Sequence, residues 1–190
     1  MIFKGDDNAL TDPKNIYMPA QLYKYKMTDE ESSKWKKFKD EIINICDELK
    51  FPEEYFYYVN VVLDSNWDQS CGYKKDCGFY SVYCDRGSYI ISDKLPESNY
   101  DKAKFHFLKN IIRKIGNKIE CSSRKLLKEN WKYEADYDSR KYRFEYEIIM
   151  LNKIFNKEYI IELVKENTEY MNRWFYFDHW KFDYGKMQFV

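Results

Sequence analysis

Residues 79–92 read FYSVYCDRGSYIIS. Two runs of aromatic and β-branched residues, 79–84 and 88–92, flank Asp85-Arg86-Gly87, a short turn whose glycine can take a left-handed conformation. The stretch reads as an antiparallel hairpin. It decides the fold class, because most of the chain around it has helical periodicity and the hairpin is its clearest sheet signal.

Upstream, residues 55–63 are aromatic and β-branched and predict another strand. Residues 64–78 are polar, carry Gly72 and Gly78, and read as a long loop within a meander. Residues 21–27 alternate, with Tyr23, Tyr25 and Met27 on one side and Lys24 and Lys26 on the other, as a half-exposed strand would. Before residue 19, Gly5, Asp6, Asp7, Asp12 and Pro13 mark loop or frayed terminus. Between these, Thr28-Asp-Glu-Glu31 is a capping box: the Thr28 hydroxyl takes the third amide and Glu31 reaches back. Trp35, Phe38, Ile42, Ile45, Cys46 and Leu49 follow at helical spacing. Pro52 lacks an amide hydrogen and disfavours helical geometry at Phe51, so the helix should stop before it.

Downstream the period is helical. Phe105, Leu108, Ile112, Ile115 and Ile119 form one stripe, and Ser122 and Ser123 are placed to recap a shorter helix reaching Trp131. A further helix is predicted over 139–155, its second half apolar nearly all round and therefore central. Asn156 can cap a last helix bearing Ile160, Leu163, Val164 and Met171. Trp174, Tyr176, Trp180, Phe182, Tyr184 and Phe189 then crowd the tail around a turn at residues 183–186, predicting an aromatic hairpin or flap. The expected architecture is a single α+β domain over 1–190: a small antiparallel meander packed against several helices.

Thirty-two basic and thirty-two acidic side chains cancel. Nucleic-acid binders draw most of their affinity from a basic excess or stripe, so nucleic acid is not the expected partner. No run of about eighteen apolar residues offers a membrane span, and the first residues hold no apolar signal core behind a basic start. The expected location is the cytoplasm, where the five cysteines read as free thiols.

The chain holds no GxGxxG, P-loop, HExxH or GxSxG element, and its six glycines leave little material for a phosphate cradle. No cofactor is expected. Cys71, Cys77 and Cys84 are spaced by six and seven positions, unlike the close pairs of structural zinc sites, so no metal is expected and buried thiols are the simpler reading. His179 between Asp178 and Trp180 could act as a base, yet neighbours on a strand point to opposite faces. Arg140, Arg143, Glu145 and Glu147 read as one charged helix face.

What remains is aromatic. Nineteen Tyr, thirteen Phe and five Trp make 19% of the chain, and such residues concentrate in cores and at protein interfaces. Across Trp131-Lys-Tyr-Glu134, Arg143-Phe-Glu-Tyr-Glu147 and Arg173-Trp-Phe-Tyr-Phe-Asp-His-Trp180 the chain resembles the immunity proteins of bacterial polymorphic toxin systems, in particular the immunity protein 63 group. The resemblance covers about the last sixty residues. It implies a cytosolic, non-enzymatic protein that binds and blocks a cognate toxin domain; it assigns no residue. From the residues themselves, Glu134, Asp136, Tyr137, Trp180 and Asp183 are the expected partner-binding set, since Trp and Tyr anchor interfaces and carboxylates steer encounter with a basic target such as a nuclease domain. Two alternatives stay open: Trp180 as a core residue, and a small enzyme using His179, Asp178, Asp183 or Glu147.

Overall fold

The computed structural model describes Leu22 and residues 25–65, 69–85, 88–127, 140–174 and 180–190. In chain order the elements are α1 (Asp29–Glu48), a 3-10 turn (Glu53–Tyr55), α2 (Phe56–Leu63), β1 (Gln69–Lys74), β2 (Gly78–Asp85) and β3 (Ser88–Leu95). After a second 3-10 turn (Glu97–Asn99) come α3 (Tyr100–Leu127), α4 (Arg140–Leu151), α5 (Lys157–Trp174), β4 (Phe182–Asp183) and β5 (Gln188–Phe189). The fold is α+β, with a three-stranded antiparallel meander β1-β2-β3 and a separate terminal hairpin β4-β5. The chain gathers into two compact units, one of residues up to Phe51 with Val59–Lys104, the other of Pro52–Tyr58 with Phe105–Val190.

In the first unit α1 lies against β1 and presents Trp35, Phe38, Ile42 and Cys46, all buried, at the predicted helical spacing. Phe38 stacks on Phe79 with ring centroids 4.2 Å apart, and Tyr100 meets both rings edge-on. The capping box forms as read, and Glu31 does more than cap. Its Oε2 accepts from the Tyr25 hydroxyl at 2.7 Å and the Thr28 amide at 3.0 Å, while Oε1 accepts from the Lys75 amide at 2.9 Å in the β1–β2 turn. One carboxylate thus starts a helix and holds a strand connection beside it. At the other end of that turn Gly78 has φ +80°, and a Cβ there would fall 2.0 Å from the Leu95 carbonyl oxygen of β3. Only glycine fits.

The sheet differs from its prediction upstream of the hairpin. Residues 55–63 are not a strand: Tyr55 ends the 3-10 turn and Phe56–Leu63 is helical. Val59, Val62 and Leu63 are buried there at helical spacing, so packing of one face overrode the weak β preference of branched residues. The missing strand is β1, inside the stretch read as a loop. Its polar start is buried with partners: the Gln69 amide donates to the Val62 carbonyl at 2.8 Å and the Ser70 hydroxyl to that of Leu22 at 3.5 Å. Residues 25–27, read as the end of a strand, pair with none; Tyr25 points to Glu31 and the Met27 sulfur meets the Tyr73 amide. Tyr23 and Lys24 lie outside the described residues. β2 and β3 run longer than predicted and pair from Asp85↔Ser88 to Phe79↔Leu95, with a bulge at Ser81/Val82.

The second unit is helical. Leu108, Ile112 and Ile115 of α3 are fully buried, as are Ile148 and Leu151 of α4. Ser122 does not start a new helix. Its hydroxyl bonds back to the Lys118 carbonyl four residues earlier, at 3.0 Å, and α3 continues to Leu127. Asn156 caps α5 through the Tyr159 amide, and Ile160, Leu163, Val164 and Met171 face the core as predicted. The predicted tail hairpin forms: the Asp183 carboxylate accepts from the Gly185 and Lys186 amides at 2.9 and 3.1 Å, shaping the turn.

Partial burial disfavours the charged form of Glu31, but the donors on its oxygens outweigh that and hold its carboxyl at about 2, below the ordinary 4.5. A carboxyl held low in the folded state contributes stability that is complete above about pH 4.5 and fades as pH falls towards 2. Glu31→Gln should therefore cost roughly 1–3 kcal/mol at pH 7. Denaturant melts of the two proteins should converge between pH 4.5 and 2; a gap that stays constant with pH would show that the charge is not what stabilises.

Candidate functional site

Phe144 is followed three and four residues on by Glu147 and Ile148, and these in turn by Leu151, so the buried stripe of α4 includes a carboxylate. Glu147 is fully buried. Arg113, from α3, grips it side-on, with Nε 3.0 Å from Oε1 and Nη2 3.2 Å from Oε2, and the Asn167 amide of α5 donates to Oε2 at 3.1 Å. Three helices thus meet on one acid. Burial pushes the Glu147 carboxyl up, whereas Arg113, despite its own burial, is held above its usual range by Glu147 and Glu166. These shifts pull in opposite senses for the charge on Glu147. The geometry favours the ionised pair, because donors face both carboxylate oxygens and a protonated acid would set its hydrogen against one of them.

The network runs outward to solvent. Arg113 Nη2 also lies 3.4 Å from Glu166 Oε1, and Lys109 donates to Glu166 Oε2 at 2.7 Å. Against the penalty of partial burial, these two cations keep the Glu166 carboxyl below its ordinary range. Arg113, Arg143, Phe144, Glu166, Asn167 and Tyr170 together line a cleft of about 170 Å³. Gly116 lets α4 come close at this point: a Cβ on it would sit 3.1 Å from Arg143 Cγ and 3.2 Å from the Arg143 carbonyl oxygen. The Arg143 guanidinium then lies 4.5 Å from the Phe144 ring centroid and sends Nη1 to Asn117 Oδ1 at 2.8 Å.

Beside the network the terminal hairpin is fixed by its backbone. Glu145 Oε1 accepts from the Phe189 amide at 2.7 Å, and Lys141 Nζ donates to the Phe189 carbonyl at 2.9 Å. Asn172 does the same for Trp180, accepting from its amide at 3.1 Å and donating to its carbonyl at 3.2 Å.

No family model, curated protein or solved structure matches this chain. The functional reading therefore rests on its own geometry.

Of the expected partner-binding set, Trp180 and Asp183 are described, and Glu134, Asp136 and Tyr137 lie outside the described residues. Trp180 is 8% exposed, with Lys141 Nζ 5.8 Å from its ring centroid. Asp183 is half-buried and bonded into its turn. Glu147 and Asp183, carboxylates of the enzymatic alternative, are each engaged in separate internal bonds, while Asp178 and His179 lie outside the described residues. Cys71 and Cys77 are buried, and burial pushes the Cys71 thiol up to about 11. The side chain of Cys84 is not described. Among the described residues no cluster of three or more metal-type ligands occurs.

The charged face predicted on α4 is corrected: Glu147 points inward and Glu145 bonds the hairpin. The signal was present in the spacing, because Glu147 lies in register with Phe144 and Leu151. Arg113, Arg143 and Asn167 carried no comparable mark, since each gains its role from a residue more than fifteen positions away.

Removing one partner of a buried ion pair strands the other, so Arg113→Met should cost about 3–5 kcal/mol, and adding Glu147→Leu should recover most of it. Chemical denaturation of both variants checks this; equal stability of single and double would sink the pairing. Trp180→Ala should cost about 3–5 kcal/mol if the ring is core, read as a fall in melting temperature.

Proposed function

We propose that this chain is a cytoplasmic immunity or inhibitor protein that binds a cognate protein toxin domain and neutralises it. The observation that carries the reading is where apolar side chains meet water. Among the described residues, Tyr57, Tyr142, Ile149, Ile161, Tyr170, Tyr184 and Val190 are the exposed large hydrophobics, and all of them belong to the second unit. Among the described residues the first unit exposes no large hydrophobic, whereas the second holds out four tyrosines. Tyrosine supplies wide, rigid contact with a polar tip and suits an interface that must also be stable without its partner.

Tyr142 and Ile149 stand seven residues apart on α4, on one face of the helix, at 39% and 40% exposure. The same helix spends one of its fully buried positions, beside Ile148 and Leu151, on a carboxylate. Apolar groups outside and a charge inside is the reverse of what monomer stability favours, and it suits a surface covered by something else. Glu147 and Asp183 are bound internally, which supports binding over catalysis. Balanced charge, with no basic excess, supports a protein partner over nucleic acid. No helix among the described residues is long and apolar enough to cross a membrane.

Co-expression with a toxin-like domain from the neighbouring open reading frame tests the proposal. The chain should restore growth and co-elute with that domain. Tyr142→Ala combined with Ile149→Ala should weaken the complex by about 2 kcal/mol or more, roughly thirtyfold, while shifting stability by no more than about 0.5 kcal/mol per site. Absence of both protection and complex at micromolar concentration would refute the reading.

A further inference from the structure

Tyr55, Tyr57 and Tyr58 stand together where the first 3-10 turn runs into α2, with ring centroids 5.6 Å apart for Tyr57 and Tyr58 and 6.4 Å apart for Tyr55 and Tyr58. Tyr57 is 68% exposed, more than any other large hydrophobic among the described residues. Other rings of this chain carry a cation of their own. Lys74 lies over Tyr25, Lys34 over Tyr73, Lys104 over Tyr100 and Arg140 over Tyr170, with centroid distances of 5.1 to 5.5 Å. Among the described residues no lysine or arginine lies over Tyr55, Tyr57 or Tyr58. Glu53 and Glu54 stand one helical turn before Tyr57 and Tyr58; both are exposed, and among the described residues neither enters an ion pair. Burial and the neighbouring Glu54 carboxylate hold the Tyr55 phenol above its usual range, so that acid lies against the ring cluster. The face of a tyrosine ring and a carboxylate both attract cations, and here neither has one.

We propose that this tyrosine and glutamate surface docks an arginine-bearing segment of a protein partner. A guanidinium is planar and weakly hydrated, stacks on aromatic rings, and can donate to a carboxylate alongside. Arg140 over Tyr170, 5.5 Å from the ring centroid, is the same pairing made within the chain. The sign of the charge selects the partner. Glu53 and Glu54 repel an acidic surface, and a purely apolar one would have to desolvate them without compensation. Tyrosine and arginine are also the residues that most often carry the binding energy of an interface. The inference deepens the toxin-binding reading by naming the chemistry of the surface that the toxin domain presents, and it rests on that reading for the partner being a protein. It adds to Tyr142 and Ile149 of α4 a second contact region in the same unit.

Tyrosine ring resonances of the 190-residue chain provide the test, at constant ionic strength. The probes are a blocked pentapeptide alternating glycine and arginine, and its citrulline counterpart, which keeps the planar shape and removes the charge. The arginine peptide should move the Tyr57 and Tyr58 signals saturably, with a dissociation constant of roughly millimolar order. The Tyr170 signal, its ring already under Arg140, should stay still and serves as the reference. The citrulline peptide should bind at least about fivefold more weakly. Tyr57→Leu, which keeps apolar bulk and loses the ring, and the double variant Glu53→Gln with Glu54→Gln should each weaken the arginine peptide by about threefold or more. No saturable shift, citrulline binding as tightly as arginine, or Tyr170 moving with Tyr57 would overturn the proposal. So would tetramethylammonium binding as tightly as the peptide, which would mark a site for a free organic cation. If a variant does not fold, the two peptides on the unaltered chain decide alone. No toxin domain enters the titration, so its failure would leave the toxin-binding reading standing, and a failure to protect in co-expression would leave the measured arginine binding standing.

Discussion

A carboxylate taken out of water must be given donors, and in this protein that requirement ties together elements far apart in sequence. Glu31 collects a phenol, the amide of its own cap residue and the amide of the β1–β2 turn. Glu147 collects a guanidinium from α3 and an amide from α5. The desolvation cost of such a group is several kcal/mol, and it is offset only when every donor is in place at once. Each unit therefore has a point where several segments must be correct together. Apolar packing supplies the bulk of the stability, but it tolerates sliding and repacking. The buried acids do not, and they set which helix turn faces which.

That constraint shapes the candidate site. Arg113 is fixed by Glu147, Glu166 is fixed by Lys109 and Arg113, and Arg143 is laid along α3 by the close approach at Gly116. The cleft between them is rigid because its walls already bond to one another. A preorganised wall loses little freedom on binding, which favours recognition of a small rigid group. The exposed tyrosines of the same unit are a different resource: wide contact area, tolerant of varied geometry. One unit thus carries a narrow polar recess and the exposed tyrosines.

Local signals in the sequence were reliable where the physics is local. The Thr28–Glu31 capping box, the Asn156 cap and the Asp183 turn all appear as read, because each satisfies backbone amides within three residues. The Phe79–Ser92 hairpin was equally legible, its pairing running up to Asp85↔Ser88. The errors share one cause. Residues 55–63 carry strand-like composition and fold as a helix, and Gln69–Lys74 carries loop-like composition and folds as a buried strand. In both, burial against distant residues outweighed the intrinsic preference of the segment.

The sequence by itself therefore determined the α+β class, the capped starts of α1 and α5, the terminal hairpin and the apolar faces of α1, α3 and α5. Each follows from periodicity or from side chains bonding to nearby backbone. Only the tertiary structure decided that Glu147 turns inward, that Gln69 and Ser70 are buried, and that Arg143 Nε is buried without a hydrogen-bond partner. A charged or polar residue has the same pattern in sequence whether it faces water or a partner. Which of these holds depends on whether a donor or acceptor from elsewhere in the chain arrives within about 3 Å, and that is a property of the folded molecule alone.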